Sequence, residues 1–434
     1  MKKAVSGLPY KYKSGLVLLP VLFLAVLIYS RGVNVPFWDE WELVPIFQHL
    51  HAGHFLWSDF WRQHNEHRLF FPTLVLTGMA YISHWNVQIE CFVSLAVAVG
   101  SFALLRKTVA EPLASKGQMI LLFLLAMVWF SPVQIENWLW GWQLEWFMNV
   151  LGVMMVVFGI SRIKARRLSR VDLALILAGG ILAQYSLGNG TLLWPLIVAA
   201  LIYIRVRARE VILAALTGAV TTFLYYFHYA GTGEPSKTLA VHRPVQFGQY
   251  VLGYLGRPLS FYHKPAMAFG FLLLAVFISL SIYLLVRQQS RFNKALPWVV
   301  LGLYAIGSSI ITGLARLGFG VGEAYSSRYT TIASLLLVSV IMLCWQNRQL
   351  LEAVFHDKHK LLAAAVAAGL FCLLMIEAGW GVHAANAQHD KLEIARQCSR
   401  AANPDAACLS SIYPDTRIVT PRLRYAKSIQ WGGY

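Results

Sequence analysis

The chain of 434 residues is too apolar to be a set of soluble domains. Hydrophobic residues make up 57% and charged residues 13%, against roughly 45–50% and roughly 25% in soluble globular chains. The mean hydropathy of +0.55 excludes disorder, which requires low hydrophobicity and high charge. The net charge of +17 would suit a nucleic-acid partner, but the positions of the basic residues favour membrane topology. The composition predicts an all-α polytopic membrane protein.

Apolar stretches that could cross about 30 Å of hydrocarbon recur along the whole chain. The first follows Lys2, Lys3, Lys11 and Lys13 and resembles a signal peptide, but no small-residue cleavage site follows it. We therefore expect a retained helix. One further apolar segment, Leu69–Trp85, is expected to lie in the outer interface. Eleven spans remain, near Gly15–Ser30 and residues 88–105, 119–132, 147–160, 171–186, 190–204, 211–230, 265–286, 295–313, 329–345 and 361–380.

The distribution of basic residues decides between topologies, because cytoplasmic segments of membrane proteins are enriched in Lys and Arg. With Leu69–Trp85 outside the bilayer, the inner segments hold 21 Lys and Arg residues and the outer loops before the C-terminal tail hold 9. Counting that segment as a span would put the clusters Arg162–Arg170 and Arg205–Arg209 outside. We therefore predict an N-terminus inside and a C-terminus outside. A transmembrane domain over residues 1–380 would precede an extracytoplasmic tail over residues 381–434.

The first outer loop, residues 31–87, is expected to contain interfacial helices and the most reactive side chains. Asp39 and Glu40 come directly after the first span. Adjacent carboxylates are costly at a lipid interface unless they are solvated, paired or ligating. A half-desolvated carboxylate beside another acid acquires a raised pKa, which suits a general base acting on a sugar hydroxyl. The alternative is that Asp39 caps a solvated helix from Glu40 to Leu50.

Histidines are concentrated in the same loop, where His64, Glu66, His67 and Arg68 form a dense polar run. His64 and His67 are three residues apart, which would place both on one face of a helix. A divalent metal is therefore a candidate cofactor, although the loop lacks a complete HExxH motif. The alternatives for these histidines are the orientation of a substrate and interfacial hydrogen bonding.

A later outer segment, residues 134–146, combines two carboxylates, several amides and four Trp residues with no basic residue. Sugar rings need that combination, because their C–H surfaces stack on aromatic faces and their hydroxyls bind amide and acid groups. An interfacial aromatic girdle is the alternative. The expected sugar or acceptor platform comprises Glu136, Asn137, Trp138, Trp142 and Gln143, with Asn189 from the next outer turn.

That next turn is expected to be recessed. The residues 171–204 are too few for two full crossings, which need about 40 residues. The turn Leu187–Thr191 between them should lie below the outer surface, where non-helical backbone is tolerated if it lines a cavity.

Two further outer features complete the prediction. Arg328 begins the tenth span, next to Tyr329, and is expected either to bind a phosphate through paired hydrogen bonds or to reach the lipid headgroups. Cys398 and Cys408 lie in the polar tail, in a compartment that we predict to be oxidising. A disulfide between them is expected, and two unpaired thiols in a loose tail are the alternative.

The motifs PFWDEWE, NEHRLFFP, ENWLWGWQ, LGNGTLLWP and SSRYTT, with an acidic pair just past the first helix, resemble the GT-C superfamily. Its members are integral-membrane glycosyltransferases that use polyprenyl-phosphate-linked sugars, and they include protein O-mannosyltransferases and the lipid A aminoarabinose transferase. The resemblance covers residues 15–345 in layout and is to a bacterial branch. The His-Pro-Pro run of the better-known branches is absent, and His67-Arg68-Leu69 takes its place.

The resemblance implies a GT-C-like fold in which Asp39 is the general base and Glu40 orients it. It also implies that polar and basic side chains bind the donor phosphate or the acceptor: His64, Glu66, His67, Arg68, Arg328 and Tyr329.

The expected activity is transfer of a sugar from a polyprenyl-phosphate donor to a hydroxyl on an envelope glycan such as lipopolysaccharide, a lipid or a protein. The site would face the periplasm from a bacterial inner membrane, and a β-linked donor would give an inverted product. One rival is an envelope oligosaccharide ligase or polymerase, which would depend on outer Arg and His more than on Asp39. The other is a transporter or flippase, which would show internal repeats and ionisable residues at mid-membrane. No repeat is visible, and no nucleic-acid partner is expected.

Overall fold

The computed structural model of the protein describes residues 15–109, 116–230, 238–350 and 359–434. The four N-terminal lysines that the topology prediction places inside lie outside these ranges. The structure is 83% helical. In the described residues its only paired strands form a short antiparallel ribbon of β1 (Gln63–His64) and β2 (His67–Arg68). The α-helices are α1 (Leu19–Arg31), α2 (Val44–His51), α3 (Trp57–Trp61), α4 (Phe70–Ser83), α5 (Val87–Val109), α6 (Lys116–Trp129), α7 (Ile135–Leu139), α8 (Leu144–Ser161), α9 (Arg170–Gln184), α10 (Leu193–Ile204), α11 (Ala208–Tyr226), α12 (Leu239–His242), α13 (Pro244–Gly256), α14 (His263–Arg287), α15 (Gln289–Arg316), α16 (Thr330–Gln346), α17 (His359–Arg400), α18 (Ala406–Ile412) and α19 (Thr416–Ser428).

Eight helical stretches of the described chain are long and apolar enough to cross a membrane, and three apolar helices are shorter. The protein is therefore an all-α polytopic membrane protein, as its composition predicts. The count of eleven spans stays a prediction, because three of the expected spans fall on shorter helices: Gly15–Arg31, Arg170–Gln184 and Gly188–Ile204. The eight long stretches are Val87–Val109, Gly117–Leu139, Gly141–Ser161, Ala208–Tyr226, His263–Arg287, Gln289–Phe319, Ser327–Gln346 and Lys360–Arg400.

Helix α8 lies at the centre of the bundle, where it packs against α5, α9 and α15. Its contact with α9 is close because two glycines face each other. A Cβ on Gly152 would lie 2.5 Å from the carbonyl oxygen of Gly179, and a Cβ on Gly179 would lie 2.6 Å from that of Gly152. Small residues at such crossings allow two backbones in lipid to approach and gain van der Waals contact.

Helix α4, the ambiguous apolar segment, has 14 residues and so spans about 21 Å. Near its start the Phe71 amide donates to the Tyr185 carbonyl, and just past its end the His84 carbonyl accepts from the Gly432 amide. Both of its ends therefore contact segments that belong to the same end of the bundle. This favours the expected placement of Leu69–Trp85 along the interface.

The segments predicted to be outer loops meet at that one end. Glu40 of the first loop accepts a hydrogen bond from the Trp142 amide, and Glu66 pairs with Arg316. Glu42 pairs with Arg422 of the C-terminal tail. These contacts gather the polar and aromatic motifs of the sequence around a common space.

The tail differs from the expected boundary at residue 380. Helix α17 has 42 residues, about 63 Å at the usual rise, and runs on to Arg400 without a break. Residues 382–400 contain no Gly or Pro, so nothing in this stretch ends the helix. The expected disulfide is present and joins Cys398 near the end of α17 to Cys408 in α18.

The rest of the tail folds back over the first outer loop. Helix α19 packs against α2, and the Trp431 ring lies against Phe47, His51 and Tyr81 at centroid distances of 4.9–5.2 Å. The tail is therefore a folded cover on the loop that carries Asp39.

Candidate active site

A cavity of about 1000 Å³ opens among the outer segments. Its walls near the loops are polar and aromatic, and its floor between α10, α11 and α15 is apolar. The polar and aromatic walls include Trp38, Asp39, His64, Asn65, Glu66, His67, Trp140, Trp142, Gln143, Glu145, Trp146, Asn189, Thr312, Arg316, Arg328 and Tyr329. The floor includes Leu192, Pro195, Val198, Ala215, Ala219, Ile311, Leu314 and Ala315.

Asp39 lies on the cavity wall, in a 3₁₀ turn over Trp38–Leu43. It does not cap a helix from Glu40 to Leu50: α2 begins only at Val44, after that turn. Asp39 Oδ1 lies 3.6 Å from His64 Nε2, and the Asp39 side chain is 28% exposed. Trp38 has a φ of 49°, a left-handed conformation that strains a bulky residue and is often found at functional sites. The turn therefore holds a partly solvated carboxylate at the cavity edge.

Glu40 is fully buried and does not line the cavity. Its carboxyl accepts hydrogen bonds from the Phe37 amide at 2.7 Å and the Trp142 amide at 3.2 Å. Burial raises the pKa of Glu40 to about 8, against these amides, which favour the ionised form. A Cβ on Gly141 would lie 2.9 Å from Glu40 Oε1, so only glycine fits beside this carboxyl. Glu40 thus fixes the turn to the Gly141–Gln143 segment rather than contacting a substrate.

The ribbon β1–β2 brings His64, Glu66 and His67 to the cavity. Arg68 is on the other side and is buried, with 5% of its surface exposed. Its guanidinium donates to the backbone carbonyls of Trp61, Tyr225, Phe227 and His228. Arg68 was expected to bind the donor phosphate or the acceptor, but the structure does not bring it to the cavity wall, and its N–H groups already hold the ribbon against the end of α11.

His67 is held as a neutral ring. Its Nδ1 accepts a hydrogen bond from the Gly188 amide at 3.2 Å, so the ring proton belongs on Nε2. Burial lowers the pKa of His67 to about 4, which outweighs the attraction of the nearby Glu66 carboxylate for the charged form. His67 can donate a hydrogen bond at neutral pH but carries no charge for a phosphate.

Among the described residues, Arg316 and Arg328 are the cations on the cavity wall. Arg316 pairs with Glu66 at 2.5 Å, and Arg328 pairs with Glu323. The Tyr329 hydroxyl also donates to Glu323, at 3.1 Å. Arg316 was not among the expected site residues. Arg316 ends an apolar helix. From the sequence alone, an Arg at that position could contact lipid headgroups just as well as line a binding site.

The platform motif divides into supporting and lining residues. Glu136 Oε2 accepts from the Ser326 and Ser327 hydroxyls and the Arg328 amide, and Asn137 donates to the Arg328 carbonyl. These two side chains hold the Arg328 turn and do not line the cavity. Trp138 is also absent from the wall, because its ring is buried against Phe147 at a centroid distance of 4.3 Å. As expected, the cavity wall does include Trp142 and Gln143, together with Asn189 of the recessed turn.

The recessed turn Gly188–Leu192 lines the cavity, as its short flanking helices predict. A Cβ on Gly190 would lie 2.2 Å from the Ala183 carbonyl, so the turn can approach α9 only with glycine there. Asn189 Nδ2 lies 3.5 Å from the Thr312 hydroxyl. Six further wall residues were not among the expected site residues, although three of them belong to the segment 134–146: Trp38, Trp140, Glu145, Trp146, Tyr226 and Tyr229.

A divalent metal stays a prediction. Among the described residues, no three His, Cys, Asp or Glu side chains are grouped closely enough to hold one.

This arrangement defines a class of protein: a polytopic helical membrane protein with a cavity at one end of the bundle that joins an acid, two arginines and aromatic rings to an apolar floor. No protein-family model, curated protein or solved structure matches the chain.

Proposed function

We propose that the protein transfers a sugar from a polyprenyl-phosphate donor to a hydroxyl acceptor. The carrying observation is the two-part cavity, in which a polar, aromatic chamber continues into an apolar floor between α10, α11 and α15. A lipid-linked sugar has the same division, with a polar head on an apolar chain.

Each part of the donor has a counterpart on the wall. The phosphate would lie between Arg316 and Arg328, whose guanidinium groups bind phosphate oxygens through short, charge-assisted hydrogen bonds. Both arginines are already oriented by carboxylates, Glu66 and Glu323, so they need little rearrangement. The prenyl chain would follow the apolar floor toward the lipid.

The chemistry follows from Asp39. Its carboxylate accepts the proton of the acceptor hydroxyl, and the acceptor oxygen forms a bond to the anomeric carbon. The bond from that carbon to the phosphate oxygen breaks, and its electron pair leaves with the polyprenyl phosphate. Attack from the face opposite the phosphate inverts the anomeric configuration. Arg316 and Arg328 stabilise the charge that develops on the leaving phosphate, which is electrostatic catalysis.

We place the cavity on the periplasmic face of a bacterial inner membrane. The Cys398–Cys408 disulfide belongs to the tail that covers the Asp39 loop, and disulfides persist in oxidising compartments. Nucleotide sugars are not expected there, which favours a lipid-linked donor. In this orientation the basic clusters Arg162–Arg170 and Arg205–Arg209 would lie on the cytoplasmic side, where membrane proteins are enriched in Lys and Arg.

The test is Asp39→Asn in membranes or nanodiscs supplied with radiolabelled polyprenyl-phosphate sugars and envelope acceptors. Loss of a positioned base should lower transfer by about 10²–10⁴-fold. The matched control is Asp59→Asn, since Asp59 pairs with His49 and lies away from the cavity wall; it should retain transfer.

Near-normal transfer by Asp39→Asn would remove Asp39 as the base and favour an oligosaccharide ligase. Movement of the labelled lipid between leaflets without a glycosidic product would instead favour a transporter.

A further inference from the structure

One wall of the cavity carries buried polar atoms without a partner. The side-chain atoms Gln143 Oε1 and Thr191 Oγ1 are buried and have no hydrogen-bond partner; beside them the Glu145 carboxyl and the Trp146 ring N–H interact with each other, and all four residues line the cavity. They come from the start of α8 and from the recessed turn that faces it. Buried polar groups in native proteins are nearly always paired with protein, water or ligand. This wall is therefore built for a ligand that supplies hydrogen bonds.

The atoms specify what kind of ligand fits. The Gln143 oxygen accepts, and the Thr191 hydroxyl both donates and accepts. The Glu145 carboxyl has lone pairs left beside its interaction with Trp146 and can accept from a further hydroxyl. A group that both donates and accepts suits these positions, and a sugar ring presents several such hydroxyls around its edge.

Charge restricts the ligand further. Among the described wall residues, the two arginines are already paired, Arg316 with Glu66 and Arg328 with Glu323, and a donor phosphate would engage them next. Among the described residues, the cation whose charge reaches Glu145 is Arg328, which Glu323 already engages, so a second anionic group would meet no unpaired cation there. A sugar that carries a carboxylate would face the Glu145 and Gln143 oxygens without a counter-charge.

The position of the wall assigns it to the donor sugar. The Trp146 ring contacts the Tyr329 ring at a centroid distance of 5.8 Å, and Tyr329 follows Arg328 directly. A sugar joined to a phosphate at Arg328 would therefore lie along Trp146, with Trp142 available for its C–H face.

We propose that Gln143, Glu145, Trp146 and Thr191 form the donor-sugar subsite and select a neutral, hydroxyl-rich sugar over an acidic one. This inference rests on the proposed use of a polyprenyl-phosphate donor.

The test measures lipid binding to the full-length protein in nanodiscs, without acceptor, by native mass spectrometry. The three probes are polyprenyl phosphate, the same lipid carrying a neutral hexose, and the same lipid carrying the corresponding hexuronic acid. The hexose lipid should bind about tenfold or more tightly than either of the others. This comparison uses the wild-type chain and does not depend on how a variant folds.

Two variants then test whether the preference for the hexose lipid depends on the side chains of the proposed subsite. Thr191→Val and Gln143→Leu each remove one hydrogen-bonding group at similar size, and each should reduce the preference for the hexose lipid by about fivefold while leaving polyprenyl phosphate binding unchanged. Thr217→Val is the matched control, because the Thr217 hydroxyl is exposed and already donates to the Leu213 carbonyl; it should bind all three lipids as wild type does.

Equal binding of the hexose and hexuronic acid lipids would overturn the subsite and leave the proposed function standing. A hexose preference that both variants retain in full would also overturn it. Failure of all three lipids to bind would overturn the proposed function itself.

Discussion

The partners of three arginines decide which of them can meet a phosphate. Arg68 donates to backbone carbonyls and is almost fully buried, so its role is structural. Arg316 and Arg328 pair with carboxylates on the cavity wall, and their side chains remain 23% and 28% exposed. An oriented, partly exposed guanidinium is suited to bind an incoming anion.

Arg328→Lys should therefore weaken donor binding and transfer, because Lys keeps the charge but loses the planar pair of donors. The expected loss is about 1–3 kcal/mol, typical of a charged hydrogen bond. The measurement is transfer against donor concentration at matched expression and saturating acceptor. Full activity of the Lys variant would return Arg328 to a headgroup-anchoring role and leave Arg316 as the phosphate-binding candidate.

Arg68→Lys is the comparison variant, because Arg68 has a structural role whereas Arg328 is proposed to bind phosphate. A Lys ammonium cannot reach all the carbonyls that the Arg68 guanidinium holds, so the melting temperature should fall. Transfer per folded molecule should change much less than in Arg328→Lys.

His67 gives the stability of the protein a definite pH dependence. Its pKa is about 4 in the folded protein and 6.5 when unperturbed, so the unfolded chain binds the proton more readily between these values. Stability should fall as pH drops from about 6.5 to 4, by on the order of 3 kcal/mol in total. His67→Gln keeps an acceptor for the Gly188 amide but does not titrate. Melting temperatures of both proteins from pH 4 to 7 should show a flatter profile for the variant; parallel profiles would contradict the assignment.

At the scale of elements, the tail and the Asp39 turn are joined through Glu42. This carboxylate accepts from the Arg422 guanidinium and from the Tyr413 hydroxyl. Burial opposes its ionised form, but the hydrogen bond and charge of Arg422 outweigh burial and lower the pKa of Glu42 below its ordinary value. Helix α19 therefore braces the turn three residues away from Asp39.

Arg422→Ala should loosen this brace, because it leaves a half-buried carboxylate with fewer partners. We expect a loss of stability on the order of 2 kcal/mol and a fall in transfer that a lower assay temperature partly restores. Arg417→Ala, on the same helix, is the control: Arg417 is 89% exposed and pairs only locally with Asp415. The melting temperature and the transfer rate of the two variants are compared. Equal values for Arg422→Ala and Arg417→Ala would contradict a stabilising role of the Glu42–Arg422 pair.

At the scale of the whole molecule, the sequence predicts the helical membrane class, the turn that lines the cavity, the disulfide and part of the polar cavity wall. Apolar length and turn composition are local properties, so they can be read from the chain. The division between Trp138, which is buried, and Trp142, which lines the cavity, depends on the break at Trp140 between α7 and the following 3₁₀ turn. Similarly, adjacent residues of a strand face opposite sides, which separates His67 from Arg68, but a two-residue strand leaves no periodic pattern in the sequence.

The brace at Glu42 also imposes an order on biogenesis. Glu42 and Arg422 are 380 positions apart, so the ribosome makes the Asp39 turn long before the residue that holds it. Until α19 has been translocated and Cys398 has been oxidised with Cys408, the Asp39 turn exists without its cover. Under the proposed function, a chain that lacks α19 would therefore insert its helices and yet hold the Asp39 turn too loosely for efficient transfer.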